Sequence, residues 1–573
     1  MDKSIHEIVR DAEDNYIHGI TKLGEYVEFD MHDVIEKTTA YLNSKHISGA
    51  TDSLGREKPF FNIVSAARNI WYRATDIDRK NITMLPSKAN QTAMAFMANV
   101  LLQNWMKKAR FGVFLNDWGR TLADHGSAVV KFVEQGGELK ASVVPWNRLI
   151  VDPVDFESIP TIEKLYMTPE QLRSKEEYDQ DVVESLIESS QGSRETLDGE
   201  KKDNLSGYIE IYEVHGKMPI ALLKDDPTEA DEENYVQQMH VVSYVKSGNN
   251  IDDFTLFKGR EAKNPYMLTH LIREDGRTLG IGAVEYLFDA QWMVNHSVKN
   301  MKDTLDISSK IIMQTADPNF AGRNVLAAIE TGDIFVHDDQ KPLTRLANDK
   351  PDIAALQNYG NMWQTLGQEI TSTPDSLRGT TLPSGTPYSL GAFLGGQAGS
   401  LFEIMTENKG LHLEDMMREY IIPHLLKKMN NKDEVVGLLD DQGIAEIDAM
   451  FVPREAVRRF NENAVEQILE GEIPPQFDPE TAQQGIKEEL APLGNKRFFK
   501  PDDIGEKTWK EALKDFDMTV TVEVTNENTD KQAILTTLGT VLQSIAGNPG
   551  ILQDPNARLI FNQILKETSV ISP

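Results

Sequence analysis

Few residues in this chain stand at spacings that could do chemistry. Asp152 and Asp155 bracket Pro153 as two carboxylates would in an acid/base site, but no third group accompanies them. The alternative for this pair is turn formation, since Asp side chains accept hydrogen bonds from backbone amides just ahead of them. The run Asp275-Gly276-Arg277-Thr278-Leu279-Gly280-Ile281-Gly282 has glycines enough to cradle a phosphate before a helix. No Gly-Lys-Ser/Thr follows, so a turn leading into a helix is the expected role. His412 and His424 lie far apart, and His6, His125, His215, His240, His270, His296 and His337 are scattered without His-x-x-x-His or His-Glu-x-x-His spacing. They read as surface or core histidines, and no metal or other cofactor is expected. With 0 cysteines there is neither a thiolate nucleophile nor a disulfide. No catalytic constellation emerges, and an enzyme is not expected.

The composition bounds the elements that position these residues. At 573 residues and 40% hydrophobic content the chain can bury real cores, in roughly three to five domains. Its 59 basic and 90 acidic residues give a net charge of −31, which repels nucleic acid at long range and disfavours a sequence-reading DNA-binding protein. Neither an apolar leader nor a run of about 18 apolar residues occurs, so no signal peptide or membrane span is expected.

Periodicity predicts helices over 29–42, 59–77, 89–108 and 115–126, a strand over 81–86, and a hairpin joining 127–132 to 139–144. The segment 171–260 is turn-rich and acidic, with 20 acidic and 10 basic residues, and the strands expected in it are 208–214 and 239–245. Next come a helix over 282–309, strands near 311–313 and 333–336, and a helix over 353–371. A polar loop punctuated by Pro383, Gly385 and Pro387 leads to a helix over 388–429, about 60 Å long at 1.5 Å per residue. Gly391, Gly395, Gly396, Gly399 and Pro423 predict bends in that helix. Helices over 454–470, 481–490, 530–546 and 556–568 and a strand over 518–524 complete the pattern. The fold class is α+β, mainly helical.

This succession resembles the portal, or head-to-tail connector, family of tailed bacteriophages, most closely the larger portals of short-tailed phages. Gly55 to Val64, Asn81 to Pro86, Trp118 to Lys164 and Leu382-Pro383-Ser384-Gly385-Thr386 before the glycine-bearing helix carry the resemblance, which runs from about 55 to 430. It implies a fold with wing, stem, clip and crown, assembled as a ring. Residues 1–280 would be the wing, with the acidic insert a departure from the family pattern. Residues 281–309 and 353–372 would be the stem helices and 310–352 the clip. Residues 373–390 would be the tunnel loop, 391–430 a long kinked wing helix, 431–529 the connection to the crown, and 530–573 the crown helices. Arg378, Thr380, Thr381, Ser384 and Thr386 would touch DNA in the tunnel loop. Lys341 and Arg345 would meet a partner at the clip, the alternative for both being a solvated hairpin edge.

The implied partners are further copies in a ring, a dodecamer in the family, and double-stranded DNA passing without sequence specificity. Terminase, neck or tail adaptors and capsid and scaffold proteins complete the set, and no membrane is expected. The implied location is the virion after assembly in the host cytoplasm. Over 353–428 stand 7 acidic and 5 basic residues, a near balance suited to a conduit, because phosphate retention rises with each Lys or Arg contact. Two rivals remain: another phage neck or tail adaptor, which would need no long helix over 388–429, and a hydrolase using dispersed carboxylates.

Overall fold

A computed structural model describes residues 4–522, except for short breaks and the segments 87–91, 196–200, 203–206, 309–312, 319–339, 346–352, 374–387, 431–434, 471–476 and 500–517. The helices expected over 530–546 and 556–568 lie outside the described residues. The protein mixes helix and sheet and is mainly helical. It divides into two compact units. One comprises residues 1–73, 118–131 and 142–401, and the other 74–117, 132–141 and 402–573.

The first unit is built on a five-stranded antiparallel sheet. Its strands, in spatial order, are Asn250–Arg260, Tyr235–Ser247, Ile209–Pro219, Thr161–Met167 and Leu149–Ile150. Three of them come from the acidic insert, which therefore forms a continuous meander. The helix Gln180–Ser189 closes over one part of it, burying Val183, Leu186 and Ile187 with Ile211, Val241 and Leu256. Asn250–Arg260 escapes a reading by alternation because Asp252 and Asp253 interrupt the apolar pattern, while Leu256 alone becomes fully buried in mid-strand.

The N-terminal helix Ile5–His18 begins with a capping box. Ser4 Oγ accepts from Glu7 N–H, and Glu7 Oε2 accepts from Ser4 N–H at 2.8 Å. Its buried face, Ile5, Val9 and Tyr16, joins a core with Met31 and Ile35 of the helix Met31–Leu42 and with Trp146, Ile162, Tyr212 and Val214.

The glycine run 276–282 is a packing device. Gly280 N–H donates to Ser127 Oγ at 2.6 Å. A methyl group on Gly282 would stand 2.2 Å from Asp124 O, and one on Gly280 2.7 Å from Ile272 O. Two backbone segments cross here at a distance that no side chain permits. Asp152 Oδ1 accepts from the amides of Val154 and Asp155 at 2.8 and 3.0 Å, and Asp155 Oδ1 accepts from Glu157 at 3.2 Å, so these carboxylates shape successive turns.

In the second unit Ile82–Pro86 pairs antiparallel with Met518–Val522, and Val435–Leu438 with Lys496–Phe499. The hairpin tip Gly136-Gly137 has φ of 61° and 74°, the left-handed geometry that a two-residue hairpin loop requires. The long helix, which belongs to this unit from Phe402 onward, runs from Tyr388 through Met416, widens to a π-turn over Met417–Ile421, and continues as Ile422–Asn430. The widening stands one turn before Pro423, which has no N–H and would clash with the carbonyl of Glu419 in a regular helix. The helix expected over 454–470 begins earlier, at Asp441, and carries Pro453 in its interior. Val452 and Ala456 pack there on Ile486 of the helix Pro479–Leu490.

Candidate functional site: a helical hairpin with one nearly uncharged helix

The helix Phe288–Ser308, preceded by the 3₁₀ turn Glu285–Leu287, packs antiparallel on the helix Ile353–Ile370. Gly367 faces Leu287 and Ala290, and Gly360 faces Ser297, so small residues let the two axes approach. Between the helices the described chain forms a short β ladder, Met313 opposite Arg345 and Gln314 opposite Thr344. The expected order of helix, small β insert and helix is thus present. The strand expected near 311–313 is found at Met313–Gln314, and the one expected over 333–336 lies outside the described residues.

Amide side chains anchor the base of the hairpin. Gln291 Oε1 accepts from Ile63 N–H at 2.9 Å and Gln291 Nε2 donates to Phe61 O at 2.7 Å, while Asn295 Oδ1 accepts from Phe61 N–H at 2.9 Å. Two side chains one helical turn apart thereby satisfy an extended segment as a neighbouring strand would. The second helix ends at this same base, closed by Ser372 at φ 52°, after which Thr373 N–H returns to Gln368 O at 2.9 Å. Trp71 Nε1 donates to Thr371 O at 2.9 Å and ties this terminus to the helix Val64–Ala74.

The second hairpin helix is unusual in what it leaves to solvent. Glu369 is the sole charged residue among its eighteen, and Gly367 the sole buried one. Tyr359, Met362, Leu366 and Ile370, spaced 3, 4 and 4 apart, are 41%, 47%, 37% and 55% exposed. That spacing puts all four on one stripe.

The other chemistry-bearing cluster lies inside the sheet of the first unit. Glu163 and Glu213 are directly opposite one another across two strands. Lys131 Nζ bridges them, 2.6 Å from Glu163 Oε2 and in contact with Glu213 Oε2. Burial alone would raise the Glu213 carboxyl. The adjacent His215 imidazole and the Lys131 ammonium more than offset this and hold it at about 2. The His215 Nε2 stands 3.8 Å from Glu213, too far for a hydrogen bond but close enough for ionic attraction. Burial opposes the charged imidazole, yet Glu213 and Glu261, the latter 3.0 Å from Nδ1, raise His215 above its ordinary value. A second group joins Lys164 to Glu13 and Glu210, each at 2.7 Å, with Tyr212 and Tyr244 on the same carboxylates. Two clefts of the first unit, one beside Asn15 and Pro153 and one beside Tyr41 and Trp292, are lined by neither Lys131, His215 nor the glutamates around them. The cluster can neutralise a sheet interior, and it has no route to a substrate through these clefts.

Lys341 lies half-buried in a bend, and its carbonyl accepts from Thr315 Oγ1 at 3.0 Å. Arg345 is in the short ladder four residues on, so the two clip candidates share one end of the hairpin. Arg378, Thr380, Thr381, Ser384 and Thr386 lie outside the described residues. Sequence reasoning missed Gln291 and Asn295. The available signal was two amides one turn apart, interrupting an otherwise apolar helical face. It also missed the glutamate cluster, whose members Lys131, Glu163, Glu213 with His215, and Glu261 come from four separate segments. Among the described residues no group of three or more His, Asp and Glu side chains could hold a metal ion, and no helix is long and apolar enough to cross a membrane. Compared with protein-family models and with curated proteins, the chain matches none.

Proposed function

We propose that this chain is a portal subunit of a tailed phage, the repeating element of a ring that conducts double-stranded DNA through one capsid vertex. In this reading the ring is a dodecamer, assembled in the host cytoplasm and retained in the virion. It docks terminase during packaging and neck or tail adaptors afterwards. The observation that carries the reading is the exposed, nearly uncharged stripe Tyr359, Met362, Leu366 and Ile370 on a helix that buries little within its own chain. Contiguous exposed apolar surface of this kind marks an interface. On a hairpin with one such face, repeated head-to-tail contact closes a ring when the rotation permits. The stem would then be this hairpin and the clip its β-bearing end. The acidic balance of the chain supports passage of DNA without retention, since phosphate affinity grows with the number of cationic contacts.

Negative-stain microscopy and light scattering of the purified protein test the proposal. Rings with an axial hole are expected. A monodisperse species at the monomer mass of 64.4 kDa at every concentration would overturn it. Assemblies without a central channel would favour a neck or tail adaptor instead.

A further inference from the structure

A cleft of about 470 Å³ opens in the first unit between the segment 46–59 and the outer face of the first hairpin helix. In a chain with a net charge of −31, its lining includes His46, Lys58, His296 and Lys299 and not one carboxylate. Lys58 is committed to the wall, donating to Ser48 O, Ser48 Oγ and Gly49 O, each at 3.1 Å. No carboxylate among the described residues pairs with Lys299. Along the same helix, Trp292 is 56% exposed, and its ring lies parallel to that of His296 with centroids 5.3 Å apart. Asn295, fixed through its Oδ1 by Phe61 N–H, also lines the cleft.

Residues 292, 296 and 299 fall at i, i+4 and i+7, on one face of the helix. At 1.5 Å per residue, Trp292 and Lys299 are separated by about 10 Å along the axis. One end of the cleft therefore offers the exposed face of a stacked Trp292–His296 pair as an aromatic platform, and the other an ammonium that pairs with no carboxylate among the described residues. Cavities of a few hundred Å³ suit small ligands. A planar base stacks on the platform, and a phosphate chain reaching the ammonium gains charge-assisted hydrogen bonds.

We infer that this cleft binds a nucleotide, with the base on the exposed face of the Trp292–His296 pair and the phosphates toward Lys299. The shared chemistry has two sources, a free nucleoside polyphosphate and an unpaired nucleotide of a single strand. The inference is independent of ring assembly and uses residues of one chain.

The test is calorimetric titration of the full chain with ADP, with adenosine and pyrophosphate as half-ligands and a short thymidine oligonucleotide as competitor. Saturable ADP binding that weakens with salt is expected, with both half-ligands weaker by about tenfold or more. Trp292→Ala and Lys299→Glu should each weaken ADP by about tenfold or more. Lys37→Glu, the same charge change at a position that does not line the cleft, should leave binding unchanged. Circular dichroism confirms that each variant is folded. An oligonucleotide that displaces ADP assigns the cleft to strand nucleotides, and one that does not assigns it to the free ligand. No saturable binding of ADP or oligonucleotide at millimolar concentration would overturn the inference. So would affinity untouched by both cleft variants, or an equal loss in Lys37→Glu, which would reduce the effect to bulk charge.

Discussion

Lys131 shows how one side chain licenses a sheet. Glu163 and Glu213 face each other across neighbouring strands, a destabilising arrangement for like charges. The ammonium between them makes it tolerable. Lys131→Met should cost about 3–5 kcal/mol, because it leaves buried carboxylates uncompensated, and urea denaturation measures this directly. The neighbouring His215 makes that stability depend on pH. Its folded value is raised above the ordinary 6.5, so its contribution is fully present below 6.5 and is lost as pH rises through the folded value. Glu213, held at about 2, contributes stability that is present above 4.5 and is lost as pH falls toward that value. The difference in melting temperature between wild type and His215→Gln should therefore be largest between about pH 5 and 6.5 and shrink at higher pH. A difference that widens with pH would show that His215 is buried neutral. The glycine run makes a second residue-scale test. Gly282→Ala drives a methyl into the Asp124 backbone, whereas a methyl on Gly276, at φ 73°, would meet only Leu23 Cδ2 at 3.8 Å, an ordinary contact. The first should cost about 1–3 kcal/mol or more by overpacking and the second about 1–2 kcal/mol by backbone strain alone. Thermal melts that rank Gly276→Ala as the worse variant would contradict the close-packing role.

At the scale of elements, the hairpin helices divide their work. The first is anchored by Gln291 and Asn295 to the segment around Phe61, and the second presents its stripe outward. Leu366→Glu changes an exposed position, so it should alter the stability of the isolated chain by about 0.5 kcal/mol or less. The same change should sharply reduce assembly, because a charge would have to be desolvated in each repeated contact. Sedimentation velocity separates the two effects. A variant that assembles as well as wild type would remove this stripe from any interface. The long helix makes a comparable point about local chemistry. Its irregularity falls at Met417–Ile421, the turn that Pro423 perturbs.

For the whole molecule, the portal reading requires that the segment between the hairpin helices be a peripheral lobe. Deletion of residues 314–351 with a short replacement loop should spare ring formation and abolish DNA packaging, scored by microscopy of rings and by filled heads. Normal packaging by such a mutant would show that this lobe does not meet the motor. The two-unit division joins residues 74–117 and 132–141 to the C-terminal part of the chain. Antiparallel pairing of Ile82–Pro86 with Met518–Val522 contributes to that grouping across more than four hundred residues.

Local signals determined much of this protein without any structure. The helices near 31–42, 92–108, 353–370 and 479–490, the Gly136-Gly137 hairpin, and the turn-forming role of Asp152 and Asp155 follow from periodicity and turn chemistry, which act over a few residues. Charge balance and the lack of cysteine likewise needed only counting. Tertiary structure decided what depends on distant neighbours. In the acidic insert alternation marks strands over 208–214 and 239–245 but not Asn250–Arg260, and Glu210 and Glu213 are accommodated in the sheet because Lys164 and Lys131 reach them from other strands. The helix Asp441–Glu470 continues through Pro453 where packing of Val452 and Ala456 on Ile486 outweighs one lost hydrogen bond. The cleft beside Trp292 joins a loop and a helix more than two hundred residues apart, a juxtaposition that no local pattern encodes.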